Sequence, residues 1–208
     1  MMPRLFLAED DSSIRQMVAF FVTKMCRCEV VGQAGDGEEA LRECERLRPG
    51  VIVADLRLPR LNGVELLREV RRRQLGASVM FYTGAMHEAC VREAMEAEPE
   101  GFIFKSDDLA SLRQAVEAVC AGASFWSAQA AETRKKVNGA KQSLSQLTAA
   151  ELEVLRLVMQ GRCSKEIAVT LHKAIDTVKH QRQSIMGKLG VHSAMALAEA
   201  ARAAGIAG

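Results

Sequence analysis

The segment VIVADLRLP, residues 51–59, decides the fold of the first part of this 208-residue chain. Its first four residues are small or β-branched and apolar, which indicates a short strand buried on both faces. Asp55 stands where that strand ends, and turn-forming residues follow it. In open α/β sheets, ligands bind outside the carboxyl ends of the strands, so Asp55 is a candidate functional residue. An isolated acid here could equally cap the turn, and the choice depends on the rest of the chain.

Four further short apolar segments precede or follow this one, separated by amphipathic stretches. They lie at residues 5–8, 29–34, 78–82 and 101–104. Strands that alternate with helices in this way predict a parallel, doubly wound α/β sheet of five strands with right-handed crossovers. We assign this domain to residues 1–124.

Polar side chains follow four of the five predicted strands. Glu9 and Asp10 follow the first strand, Asp55 the third, Thr83 the fourth and Lys105 the fifth. Carboxylates that meet at one sheet edge repel one another unless a cation joins them, and oxygen ligands of this kind suit Mg²⁺. An aspartate nucleophile with Mg²⁺, a hydroxyl and an ammonium group is typical of phosphoryl transfer. Each placement alone has an ordinary structural explanation, but together they indicate one site.

The order and spacing of these five residues resemble the receiver domain of response regulators over residues 4–122. The matching segments are AEDD, DLRLP, YTGA and FIFKS. The resemblance implies that a sensor histidine kinase phosphorylates Asp55, and that Thr83 and Lys105 contact the phosphoryl oxygens. It implies no enzyme activity beyond Mg²⁺-dependent self-phosphorylation and autodephosphorylation at Asp55.

The same resemblance implies a metal site and a switch. Asp10 and Asp55 would bind Mg²⁺ directly together with the backbone carbonyl of Arg57, and Glu9 would act partly through water. Phe102 stands where the family keeps an aromatic ring that turns inward on activation, in concert with Thr83. A plain core position in the fifth strand is the alternative for Phe102.

After Phe125-Trp126-Ser127, which contains the single tryptophan, residues 128–143 are polar and basic. We interpret residues 125–143 as a linker, partly helical at its start. From Leu147 the pattern becomes wholly helical, and Thr148 and Glu151 form a capping box. A short helix at 165–171, a tight turn and a longer helix at 175–189 follow the helix-turn-helix plan. We assign residues 144–208 to an all-α domain of four helices.

Residues 144–204 resemble the LuxR-type DNA-binding domain of NarL/FixJ-like regulators. The match rests on Leu147-Thr148, Glu151, Lys165-Glu166-Ile167-Ala168, Thr177-Val178-Lys179 and Lys188-Leu189-Gly190-Val191. The resemblance implies that the helix from Ile175 lies in the major groove of double-stranded DNA. It places Lys179, His180 and Gln183 near bases or phosphates, Thr177 and Lys188 on the DNA backbone, and Arg182 as a further phosphate contact. Ala174 departs from the family's capping serine, which weakens the start of that helix.

These observations predict a two-domain, phosphorylation-switched transcription regulator of the NarL/FixJ type that dimerises when phosphorylated or bound to DNA. The departures in the recognition helix support an alternative, a signalling protein that acts through protein contacts and carries a divergent DNA-binding tail. An aspartate-nucleophile phosphatase is disfavoured, because no cap domain or second catalytic aspartate follows Asp55.

Composition agrees with a globular protein: 49% of residues are hydrophobic and 26% are charged. No apolar run reaches membrane-spanning length and no signal peptide is apparent, so we expect a cytoplasmic protein without a membrane partner. The net charge is only +2, with acids in excess up to Ser124 and bases in excess after it. The six cysteines lack zinc-type spacing, and the sequence assigns them no function.

Overall fold

A computed structural model of the chain describes residues 2–85, 88–203 and 206. The chain divides into two compact units, Met1–Glu132 and Thr133–Gly208. The first unit contains a parallel sheet flanked by helices, and the second is helical. In the described residues, no helix combines the length and the apolar character needed to span a membrane.

The first unit is built on a parallel sheet of six strands in the order β2-β1-β3-β4-β5-β6. The strands are β1 (Arg4–Ala8), β2 (Glu29–Ala34), β3 (Val51–Ala54), β4 (Ser78–Thr83), β5 (Gly101–Phe104) and β6 (Phe125–Trp126). The predicted doubly wound parallel sheet is therefore confirmed, but the predicted count of five strands was one short. The sixth strand has two residues, too few to show the alternation that marks a strand in a sequence.

Five helices complete this unit: α1 (Ser12–Met25), α2 (Gly37–Leu47), α3 (Gly63–Arg72), α4 (Glu88–Glu96) and α5 (Leu109–Cys120). Most begin at a side chain that accepts hydrogen bonds from the free amides of the first turn. Asp11 caps α1, Asp36 caps α2, and Asn62 forms a capping box with Glu65 at α3. Such caps typically contribute about 1 kcal/mol each.

The central strands hold this unit together. Every residue of β3 and β5 is buried, and the side chains of Phe6, Ile52, Phe81 and Phe102 are fully enclosed. Burial of one such side chain contributes about 1.5–3 kcal/mol. Because β1, β3, β4 and β5 are neighbours, their carboxyl ends meet at one edge of the sheet, where the polar residues lie.

The segment predicted as a linker, residues 125–143, is regular structure for most of its length. Phe125 and Trp126 form β6, and α6 spans Ala128–Ser145. The prediction of a helix only at the start of this segment was wrong. Alanine, glutamine, glutamate, lysine and arginine, which dominate residues 128–137, are strong helix formers, and they carry the helix through the Asn138-Gly139 pair that resembles a turn.

The second unit contains the helices α7 (Ala149–Met159), α8 (Ser164–Thr170), α9 (Ile175–Leu189) and α10 (Ala194–Ala203). The predicted capping box at the start of α7 is present, and Gly190 ends α9 in the left-handed conformation with φ 65°. The core of this unit consists of apolar side chains from all four helices, with Val154, Leu155, Ile167, Val178, Ile185 and Leu197 fully buried.

Candidate functional site

The carboxylate of Asp55 is held on both oxygens at the carboxyl edge of the sheet. The Thr83 hydroxyl donates to Oδ1 at 2.6 Å, and the Lys105 ammonium donates to Oδ2 at 2.7 Å. The Arg57 amide adds a longer contact to Oδ1 at 3.3 Å. Asp55 is only 4% exposed, so these partners replace the water that a free carboxylate would bind. The structure therefore brings together the predicted acceptor, hydroxyl and lysine.

Glu9, Asp10 and Asp55 form an acidic cluster at the same edge. One carboxylate oxygen from each lies within 4.8 Å of the others, with Glu9 and Asp55 buried and Asp10 exposed. Three carboxylates against the single ammonium of Lys105 leave an excess of negative charge. Hard oxygen donors with excess negative charge fit Mg²⁺, which prefers a few carboxylates and retains several waters. The residues present therefore fit the predicted metal.

Lys105 links the two buried acids of this cluster. Its ammonium donates to Glu9 at 2.8 Å as well as to Asp55. Burial raises the pKa of Glu9, and the nearby ammonium only partly opposes that rise. Burial alone would lower the pKa of Lys105, but hydrogen bonds from its ammonium to Asp55 and Glu9 outweigh it and raise that pKa. Lys105 therefore stays positively charged inside the pocket.

An open cleft of about 430 Å³ adjoins the cluster. Asp10 and Arg57 line it together with the loop after Asp55 and the helix α4. The backbone carbonyl predicted as a metal ligand belongs to Arg57, which lies in this loop. The cleft lies on the side of the cluster where Asp10 is exposed.

Arg15 supports the acidic loop, and the sequence did not reveal it. Its guanidinium donates to the backbone carbonyl of Glu9 and, at 3.4 Å, to that of Asp10. A long side chain on the first turn of α1 has many possible directions, so its position in the sequence does not predict this contact. The contact fixes the backbone from which both carboxylates project.

The loop after Asp55 is fastened to the start of α2. The Gly37 amide donates to the Pro59 carbonyl at 3.1 Å, and a Cβ on Gly37 would lie 1.8 Å from the Leu61 carbonyl oxygen. Arg60 donates to the Asp36 carboxylate at 3.0 Å and holds the pKa of that group at about 2. These contacts define the position of the loop that carries Arg57.

Phe102 lies inside the first unit and not on its surface. Its ring meets Phe81 and Phe104 edge-on, at 6.0 and 5.3 Å between centroids, and stacks on Trp126 at 5.6 Å with an interplanar angle of 14°. The Ser127 amide donates to the Phe102 carbonyl at 3.1 Å. The predicted switch residue is therefore inward-facing here and is joined through β6 to the start of α6.

In the second unit, four of the six residues predicted to contact DNA lie on the exposed face of α9. Thr177, Lys179, His180 and Gln183 are exposed. Lys179 forms an ion pair with Asp176 at 3.1 Å, and the His180 ring nitrogen Nδ1 lies 2.8 Å from the Asp176 carbonyl oxygen. No side chain caps α9 at Ala174, in agreement with the departure noted in the sequence.

The other two residues predicted to contact DNA, Arg182 and Lys188, form side-chain hydrogen bonds within the second unit. Arg182 donates to the Ser164 hydroxyl at 3.0 Å. Lys188 donates to both carboxylate oxygens of Glu151, at 2.9 and 2.7 Å, and Ser184 donates to Glu151 at 2.7 Å. These contacts join α9 to α8 and to α7, since Ser164 begins α8 and Glu151 belongs to α7. A DNA phosphate would have to share or displace them.

Comparison with known proteins gives two family matches. The model described as "Response regulator receiver domain" matches residues 5–117, which is more than half of the chain. The model described as "Bacterial regulatory proteins, luxR family" matches residues 145–201.

Similar proteins match along most of the chain. "Response regulator protein VraR" of Staphylococcus aureus is 26% identical over 189 residues, covering 90% of each chain. A structure of two RcsB dimers bound to two parallel DNAs is 25% identical with a TM-score of 0.71, covering 98% of this chain and 99% of that one. A LuxR-family two-component response regulator from Aurantimonas sp. SI85-9A1 is 31% identical with a TM-score of 0.59, covering 64% and 94%.

Proposed function

The chain belongs to the response-regulator receiver family and carries a LuxR-type DNA-binding domain, and on that premise we propose that phosphorylation of Asp55 controls its binding to DNA. The observation that carries this proposal is the Asp55 carboxylate, held by Thr83 and Lys105 beside two further acids. The alternative of a protein-contact regulator with a decayed DNA-binding tail is not favoured, because the LuxR family model matches residues 145–201.

The phosphodonor in this proposal is a phosphohistidine of a sensor histidine kinase. One oxygen of Asp55 attacks phosphorus while the imidazole nitrogen leaves with the electrons of the P–N bond. Bound Mg²⁺ would supply positive charge that neutralises the transferring phosphoryl group. Glu9 and Asp10, with Asp55 and the Arg57 carbonyl, are the groups that would hold it. We propose no chemistry beyond self-phosphorylation and autodephosphorylation at Asp55.

In this proposal, Lys105 and Thr83 stabilise the phosphorylated state by contacting the phosphoryl oxygens. The ammonium of Lys105 already lies 2.7 Å from Asp55, so it can pair with a phosphoryl oxygen after a small shift. The Thr83 hydroxyl donates to Asp55 before phosphorylation, and it would donate to the phosphoryl group afterwards. The Ala85 amide donates to the Thr83 hydroxyl oxygen at 3.0 Å, so movement of Thr83 draws the loop after β4 with it.

A phosphoryl group can shift the protein between two states only if it interacts differently with each. Movement of Thr83 would change the space beside the buried rings of Phe81 and Phe102, and Phe102 stacks on the half-buried Trp126. Because Ser127 is bonded to the Phe102 carbonyl, that change can reach the start of α6. We therefore place the receiver's output at β5, β6 and the first turn of α6.

The output in this proposal is DNA binding by a dimer in the cytoplasm. RcsB binds DNA as dimers, and two-fold symmetric readers place one recognition helix on each half-site. In this chain α9 is that helix, with Lys179, His180 and Gln183 directed to bases and phosphates and Thr177 to the backbone. Arg182 and Lys188 contribute only to the extent that DNA draws them from Ser164 and Glu151.

The acceptor is tested by incubation of the full chain with acetyl phosphate and Mg²⁺, followed by intact-mass measurement. Asp55→Asn removes the proposed nucleophile. Asp11→Asn is the matched control, because Asp11 is a neighbouring exposed acid and asparagine caps a helix equally well. We expect the wild type and Asp11→Asn to gain one phosphoryl group that requires Mg²⁺. Equal phosphorylation of Asp55→Asn would contradict the assignment.

A further inference from the structure

Three of the six cysteines meet at one corner of the first unit. Cys26 and Cys28 lie in the turn between α1 and β2, and Cys120 is the last residue of α5. The Cys26 and Cys28 amides both donate to the Val22 carbonyl, at 3.3 and 3.1 Å, and Arg27 between them is left-handed with φ 54°. This reversal folds Cys28 back beneath the end of α1, towards α5.

The Sγ atoms of Cys28 and Cys120 lie 3.8 Å apart. Cys28 is 1% exposed within the apolar core, whereas Cys120 is half-buried and packs against that core. A disulfide bond is about 2.05 Å long, so the two sulfurs need to approach by about 1.8 Å. Residues 28 and 120 are distant in sequence, and the packing of α1 against α5 brings the turn after α1 to the end of α5.

We propose that Cys28 and Cys120 form an oxidisable dithiol, which a peroxide converts into a disulfide between the start of β2 and the end of α5. The Cys120 thiolate attacks the O–O bond of the peroxide, giving a sulfenic acid and hydroxide. The Cys28 sulfur then displaces the sulfenic oxygen as water and forms the S–S bond. The two sulfurs together lose two electrons, and hydrogen peroxide is reduced to two molecules of water.

The environments of the two thiols support this division of roles. The hydrogen bond between the two sulfurs, in which either thiol can be the donor, lowers the pKa of Cys120. The same bond, together with burial, raises the pKa of Cys28. The more accessible thiol is therefore the more easily ionised one, and it is the thiolate that reacts with an oxidant. The buried partner is already in contact to trap the sulfenic acid before further oxidation.

Each of the other four cysteines lacks either an easily ionised thiol or a second thiol in contact. Burial raises the pKa of Cys26 to about 11 and that of Cys44 to about 12. Cys90 and Cys163 are exposed and lie on α4 and before α8, and the described structure gives neither a thiol partner. Peroxide can oxidise those two surface thiols, but neither has a second thiol in contact within its own unit in the described residues.

A Cys28–Cys120 bond would close a loop that contains β2 to β5. This loop includes Asp55, Thr83 and Lys105, so the bond constrains the unfolded form of the whole pocket region. Loss of that freedom stabilises the folded unit, and the effect grows with loop length. We expect the thermal transition of the first unit to rise on the order of 5–10 °C on oxidation. Reduction with dithiothreitol should reverse the rise.

The test is brief treatment of the reduced full chain with hydrogen peroxide, then alkylation of free thiols and peptide mapping without reductant. We expect a linked peptide that joins residues 28 and 120 in the wild type and in the surface control Cys163→Ser, but not in Cys120→Ser. Trp126 fluorescence during heating measures the transition of the same unit. Because the wild-type map requires no variant, a folding defect in Cys120→Ser would not obscure the result.

Three outcomes would overturn the proposal. The first is that Cys28 and Cys120 stay fully alkylatable while Cys90 and Cys163 are oxidised. The second is a bond from Cys120 to Cys26 in place of Cys28. The third is a link between chains only, detected as a dimer on a non-reducing gel with no intrachain peptide.

Discussion

Glu151 joins α7 to α9 in the DNA-binding unit, and its replacement by glutamine gives a quantitative test of what that contact contributes. Its carboxylate accepts hydrogen bonds from Lys188, Ser184 and the Thr148 amide. The Lys188 ammonium, followed by the Thr148 amide and the Ser184 hydroxyl, lowers the pKa of Glu151 to about 2, from an ordinary 4.5. That difference corresponds to about 3 kcal/mol of stability at neutral pH.

The magnitude expected for Glu151→Gln is smaller than this figure. The Glu151 side chain is 8% exposed, but that of Lys188 is 33% exposed, and solvent screens the pair. Glutamine also keeps a neutral acceptor for Ser184. We therefore expect a loss of about 2 kcal/mol, which for a unit of this size lowers the thermal midpoint by about 10 °C.

The pH dependence of the wild type follows from the direction of the same shift. A pKa lowered in the folded state means that the contribution of Glu151 is fully present above about pH 4.5 and is lost as the pH falls towards 2. Glu151→Gln should lack this portion of the acid sensitivity. The variant and the wild type should therefore converge in stability at the acidic end of that range.

Two probes separate the two units in this assay. The single tryptophan and the single tyrosine, Trp126 and Tyr82, both lie in the first unit, so their fluorescence reports only that unit. Far-ultraviolet circular dichroism also reports the helices of the second. Glu153→Gln is the matched control, because Glu153 is exposed on the same helix and should change stability by less than about 0.5 kcal/mol. Equal thermal midpoints for Glu151→Gln and Glu153→Gln would refute the argument. If Glu151→Gln shifted the transition reported by Trp126 by as much as that of the second unit, this would also refute it.

Three further substitutions test separate parts of the structure. Gly37→Ala forces the loop at Leu61 to move and should destabilise the receiver by about 1–3 kcal/mol. Mn²⁺ binding, measured by electron paramagnetic resonance, should weaken in the same variant. Unchanged Mn²⁺ binding would count against the role of this loop. Lys179→Gln removes one cation from α9, the proposed recognition helix, so the magnitude of the slope of log affinity against log salt should fall by about 0.9. An unchanged slope would exclude a phosphate contact. Trp126→Leu removes the stack on Phe102 and should lower the stability of the receiver by about 1–2 kcal/mol. Thermal unfolding followed by circular dichroism measures this loss. No change would show that β6 does not contribute to the stability of the receiver.

The sequence was informative where a feature depends on residues close together in the chain. The buried strand at residues 51–54, the polar residue that follows it and the Thr148–Glu151 capping box are all local patterns, and the structure contains them. Parallel strands then bring their carboxyl ends to one edge. For that reason the pocket of Asp55, Thr83 and Lys105 could be predicted without any coordinates.

Contacts between distant segments could not be predicted in this way. Lys188 was predicted to contact the DNA backbone, and nothing in the sequence indicated that its ammonium also lies against Glu151 on α7, two helices earlier in the chain. Arg15 reaches the carbonyls of the acidic loop through a flexible side chain. The strand β6 is too short to have a periodicity, and the helix α6 continues through an Asn-Gly pair that usually marks a turn.

The central claim is that the phosphoryl group on Asp55 controls DNA binding, and DNA affinity with and without beryllofluoride and Mg²⁺ tests it most directly. The probe is a duplex selected from a random library by the beryllofluoride-treated protein, and the measurement is made at two salt concentrations. The account predicts tighter binding by the treated wild type, and no response from Asp55→Asn. Equal affinity of the treated and untreated wild type, at both salt concentrations, would contradict it.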